Sequence, residues 1–217
     1  MLGRIAVVFA ISAALAMAAR AVAGPPAICH PVEFEKGAES LPWGSGAFKE
    51  KRGYSKSRVV DDTVAVLDKN DDVLVHMETL RRATIYMQRD DAMAQDLLAA
   101  LMARALDAEA AGKPSAITWL DAGYLCQCYY QIGLDVGRDC GRQRGIVGYA
   151  WVLRALALQP NDPELEFAAA MMTVAADVAD HKTHIERVLV LAAPDSLVRS
   201  NLDTHRNEYW NHHRGRK

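Results

Sequence analysis

From Ser57 onward, apolar residues return every three to four positions. Val59, Val60, Thr63, Val64 and Leu67 form one stripe, with Asp61, Asp62 and Asp68 off it, which is the spacing of an amphipathic helix. Val73, Met77, Leu80, Thr84 and Met87 repeat the pattern. Asp90 and Asp91 open a third helix with Ala94, Leu97, Leu98, Leu101 and Ala105 inward, and Gly112-Lys113-Pro114 ends it. A fourth runs from about Ser115 to Ile132 and stops at Gly133, and residues 133–145 read as a glycine-rich loop holding Cys140. A fifth covers about Ile146–Leu158. Pro160-Asn161-Asp162-Pro163 breaks the chain, and a sixth begins at Pro163, a favourable first-turn position. Pro194 separates a seventh from an eighth near Ser196–Trp210. No stretch alternates as a strand does, so the pattern predicts an all-α domain over residues 57–213.

Residues 24–56 break the period. Pro25, Pro26, Pro31 and Pro42, with glycines at 24, 37, 44, 46 and 53, predict an irregular arm rather than a helix. Trp43 and Phe48 are the expected anchors of that arm on the helical body.

Before the arm lies a different pattern. Met1 to Arg4 is short and basic, Ile5 to Ala19 is apolar and uncharged, and Ala21-Val22-Ala23 places small residues before Gly24. That order reads as a signal peptide over residues 1–23. The apolar run, about 15 residues, is short of the roughly 20 that span a bilayer. The expected chain after cleavage is periplasmic or secreted, without a membrane span. Ile28 stands before Cys29 where lipidation would need a small residue.

Composition narrows the classes. The 217 residues are 51% hydrophobic and 24% charged, too apolar for a disordered chain. The formal charge is −2, and loss of Arg4 and Arg20 with the leader makes it more negative, which argues against a nucleic-acid partner. Cys29, Cys126, Cys128 and Cys140 are an even set in an exported chain, so two disulfides are expected. Cys126 and Cys128 point to different faces of one helix. The expected pairing is Cys126–Cys140 with Cys128–Cys29, or the swapped pairing. The cysteines follow no zinc, haem or dithiol spacing.

Two internal echoes mark a repeat. Arg104-Ala105-Leu106 and Arg154-Ala155-Leu156 occupy like places in their helices, and Ala155–Pro160 is echoed by Leu189–Pro194, with the prolines 34 residues apart. In Tyr149–Pro160, Asp162–Met171, Trp119, Ala122 and Gly123 the chain resembles the tetratricopeptide family (TPR-like), best over residues 116–194. It departs from that pattern at Cys126, where tyrosine is usual, and by an insertion around Cys140. The resemblance implies stacked antiparallel helix pairs in a superhelix whose concave face binds peptides. Stacking is expected physically too, because one helix pair cannot bury its apolar face alone.

On that mapping Tyr124 and Gln127, beside Asp121 and Cys128, look into the groove. Arg81, next to Arg82 and one turn from Glu78, either steadies its helix or takes a ligand carboxylate there. His181-x-x-His184 puts two imidazoles one turn apart, without the glutamate and spacing of a metalloprotease. His205, His212 and His213 lie in a basic end that closes with residues 214–217. No catalytic set and no cofactor motif emerges. The primary expectation is a scaffold for a protein or peptide partner. The alternatives are a metal-binding protein or metal-dependent hydrolase using these histidines, and a self-assembling structural component. The leader reading has a direct check: intact-mass analysis of the exported protein should give a chain beginning at Gly24, and a retained Met1 would overturn it.

Overall fold

The computed structural model describes residues 26–141, 147–174 and 180–213, with side chains of 139, 141, 147 and 206–213 left aside. The expected leader 1–23 and basic tail 214–217 lie outside these residues. The helices are α1 (Pro26–Cys29), α2 (Val59–Leu67), α3 (Val73–Tyr86), α4 (Asp91–Ala110), α5 (Ala116–Ile132), α6 (Asp135–Gly141), α7 (Val147–Leu158), α8 (Pro163–Thr173), α9 (Asp180–Leu191) and α10 (Leu197–His213). Among the described residues there is no strand, only an isolated bridge between Trp43 and Glu50. No described helix is long and apolar enough to cross a membrane. The all-α expectation holds.

Local chemistry starts and stops the helices where the periodicity does. Asp72 accepts the Val75 amide, Asp90 the Met93 amide, and Asp162 the Glu164 and Leu165 amides with Pro163 just inside, each satisfying donors that a helix leaves unpaired. Gly133 ends α5 at φ 83°, a left-handed position suited to glycine.

The helices form two packed rows. In the middle row α3 lies against α5, and α8 against both. Helices α2, α4, α7 and α9 cover one side, and α10 packs on α8 and α9. On the other side the arm crosses the row, with α1 touching α3, α5 and α8. Covered on both sides, the middle helices have almost no wet face. Every residue of α3 is buried except Arg82, as are Trp119–Tyr129 in α5 and Leu165–Thr173 in α8. Helices buried all round need no polar stripe.

The arm is irregular as expected but opens with the short turn α1. Its anchors are Ala27, Ile28, Val32 and Leu41, all buried, with Trp43 half-buried. Phe48, an expected anchor, is instead 54% exposed, because the loop closed by the Trp43–Glu50 bridge turns it outward. Residues 135–141, expected as loop, are helical. Their glycines mark contact rather than flexibility: a Cβ on Gly137 would lie 2.3 Å from the Tyr129 carbonyl carbon and the Tyr130 nitrogen.

Helices α5 and α7 also cross at close range. A Cβ on Gly123 would sit 2.4 Å from the Gly148 carbonyl oxygen, and one on Gly148 would sit 2.5 Å from that of Gly123. The Cys126–Cys140 disulfide lies beside this crossing and ties α5 to α6. Gly123→Ala should therefore destabilise the protein by at least about 1–3 kcal/mol, the range for overpacking. Urea unfolding checks this, and an unchanged midpoint would contradict the backbone contact.

Candidate functional site

Glu78, Arg81 and Arg82 fall within about one turn of α3, spaced three and four apart, the positions at which helix side chains meet. Glu78 Oε2 accepts from Arg81 Nε at 2.7 Å, and Oε1 from Arg81 Nη2 at 2.9 Å and Arg82 Nε at 2.8 Å. Glu78 and Arg81 are 1% and 0% exposed, so the ions must satisfy each other or the adjacent main chain.

That main chain is the arm. Arg81 Nη1 donates to the carbonyls of Ile28 (3.0 Å) and Ala47 (2.8 Å), and Arg82 Nη1 to that of Leu41 (2.8 Å). Glu78 Oε2 also accepts the Val32 amide at 3.0 Å. Tyr86 donates to the Pro42 carbonyl and accepts the Lys51 amide. Gln131 on α5 accepts the Ala27 amide. Asn201 on α10 grips Glu33 by both its amide and its carbonyl, each at 2.7 Å. The arm is thus held largely through its backbone, by side chains from α3, α5 and α10.

Beside the clamp an open cleft of about 630 Å³ runs along Phe34, Glu39, Leu41, Pro42, Trp43 and Arg82. The Arg82 guanidinium carbon lies 5.5 Å from the Phe34 ring centre and 5.7 Å from that of Trp43, within cation–π range.

The sequence-predicted site residues do not face an open groove. Arg81, Tyr124 and Gln127 are buried at 0%, 0% and 1% exposure, in the middle row of helices covered on both sides. Arg81 holds that arm. Gln127 donates to the Met172 carbonyl at 3.3 Å, linking α5 to α8. Burial pushes the Tyr124 phenol well up. Asp121 is likewise internal, bonded to His76 Nδ1 at 2.6 Å and to Arg104 at 3.2 Å. Burial opposes charging His76, but the Asp121 carboxylate outweighs it and its pKa is raised.

Cys126 and Cys140 are bonded as expected. Cys29 and Cys128, expected to bond each other, are free thiols. At this point the arm is tied by Arg81 instead, which bonds the carbonyl of Ile28, beside Cys29, and acts electrostatically on both thiols. Cys128 is wholly buried and bonded to Thr84.

His184 spends both nitrogens internally, Nδ1 on Glu166 at 2.6 Å and Nε2 on the Tyr149 hydroxyl at 2.7 Å. His181 Nδ1 lies 3.0 Å from the Ala170 carbonyl. Among the described residues there is no group of three or more histidine, cysteine or acidic side chains placed to hold a metal. The side chains of His212 and His213 lie outside them.

Sequence reasoning missed Glu78, Arg82, Tyr86, Gln131 and Asn201 as holders of the arm. The available signal was Glu78-x-x-Arg81-Arg82 inside a helix whose other residues are mostly apolar. Comparison with protein-family models, with characterised proteins and with solved structures finds no match.

One arm contact is pH-sensitive. His205 on α10 packs edge-on to His30 at 5.2 Å and against Phe167. Burial, helped by the neighbouring His30, lowers its pKa to about 3. It is neutral in the fold but protonates near 6.5 when unfolded. Its contribution is full above pH 6.5 and fades as pH falls toward 3, by about 2 kcal/mol at pH 5. His205→Phe should flatten that part of a stability–pH profile, and identical profiles would overturn the assignment.

Proposed function

We propose that this chain is an exported helical-repeat scaffold, a degenerate tetratricopeptide-like array, that holds an extended segment of a protein or peptide partner. The supporting observation is how it holds its own arm. Side chains of the helical body bond the arm's carbonyls and amides at Ala27, Ile28, Val32, Glu33, Leu41, Pro42 and Ala47. Main-chain reading of this kind gives affinity with little demand on sequence, and adjacent pockets supply specificity. The open cleft beside these contacts is lined by the arm itself, along Phe34, Leu41, Pro42 and Trp43, with Arg82 of α3 at its edge. The Cys126–Cys140 disulfide supports the exported reading, since such bonds persist in oxidising compartments.

The test is a display library of unstructured peptides panned against the purified protein, with hydrogen exchange to map the winners. Binders should protect residues 34–44 and weaken on Trp43→Ala. If no peptide slows exchange there, the reading fails.

A further inference from the structure

Two guanidiniums close on the single Glu78 carboxylate, and neither Arg81 nor Arg82 has another acidic partner among the described residues. The cluster therefore carries one surplus positive charge. Arg81 is wholly buried and spends its N–H groups on Glu78, Ile28 and Ala47. The outlet for that charge is Arg82, whose side chain is 16% exposed. Its Nε is used on Glu78 and its Nη1 on Leu41. Its Nη2 has no hydrogen-bond partner among the described residues, and the partly exposed Arg82 side chain lines the cleft. Phe34 and Trp43 flank the guanidinium and hold it in place.

Resting on the peptide-binding reading above, we infer that the cleft takes a carboxylate of the bound peptide on Arg82 Nη2, with an adjacent apolar residue against Pro42 and Trp43. An ionised acceptor gives the stronger class of hydrogen bond and neutralises the surplus charge. Glu39 on the rim has the wrong sign for such a ligand. It is exposed and makes no hydrogen bond among the described residues, so its repulsion is screened by salt, and its removal becomes a diagnostic.

The probe is a short Leu/Trp-bearing peptide in three versions: free C-terminus without acidic side chains, amidated C-terminus with one internal Glu, and amidated without any acid. Binding is read by fluorescence anisotropy at low salt. The carboxylate-bearing versions should bind at least about fivefold more tightly than the neutral one, and the better of the two identifies the source of the carboxylate. Arg82→Gln should weaken binding about tenfold or more. Because that change also loosens Leu41, Glu39→Gln supplies the independent arm. It leaves the clamp intact and should tighten binding by about two- to fivefold, an effect that vanishes in high salt. Equal binding of all three peptides with protection at residues 34–44 intact would overturn the carboxylate assignment alone. So would weaker binding on Glu39→Gln. No protection by any version would instead remove the peptide-binding reading.

Discussion

Glu78 is a carboxylate cut off from water, and the arrangement of the middle row and the arm turns on how it is satisfied. Two arginines from its own helix reach it, and each still has N–H donors to place. Those donors end on arm carbonyls, and Glu78 itself takes an arm amide. A buried cluster of this kind adds little net stability over apolar packing of the same volume, yet breaking it leaves an uncompensated charge in a dry place. Its effect is to give the arm one position. An arm shifted by a residue would strand three guanidinium bonds at once, whereas Ile28, Val32 and Leu41 alone would tolerate some sliding.

The rest of the architecture follows from the arm being there. Helices α3, α5 and α8 are buried on nearly every side, which requires a cover on both faces. The outer helices are one cover and the arm is the other. Within the row, two internal chains pair most of the charged groups, while the Tyr124 hydroxyl and Gln127 Oε1 are buried without a hydrogen-bond partner among the described residues. His76, Asp121, Arg104 and Asp68 form one chain, and Tyr149, His184, Glu166 and Arg187 another. Glu164, at the start of α8, is raised to about 7 by burial and by the neighbouring charges of Asp72 and Asp162. It favours the fold at acid pH, loses that contribution as pH rises from about 4.5 toward 7, and so runs opposite to His205.

The helical body was legible because its signals are local. The stripe Val59–Leu67, the stop at Gly112-Lys113-Pro114 and the start at Pro163 each depend on residues within a turn or two. Cys126–Cys140 was legible for the same reason, since its loop is short. What misled was the assumption that a glycine means a bend: Gly137 allows a backbone to come close, and the surrounding residues stay helical. The candidate site was misread through distance. Arg81, Tyr124 and Gln127 were read as groove-facing, and nothing near them in sequence says that residues 26–47 return to bond Arg81 or that α8 packs on Gln127. Asn201 and Glu33 meet across a separation of 168 residues, beyond the reach of any periodicity.

That pairing has a consequence for the order of events in the cell. Synthesis runs from the N-terminus, so the arm is made before its partner Asn201. Until α10 is out, the amide and carbonyl of Glu33 lack their partner, and until α3 and α5 have formed, Ile28 and Val32 have nowhere to pack. The arm is made before the helices whose side chains hold it. A chain that stops short of residue 201 leaves the Glu33 amide and carbonyl without that partner.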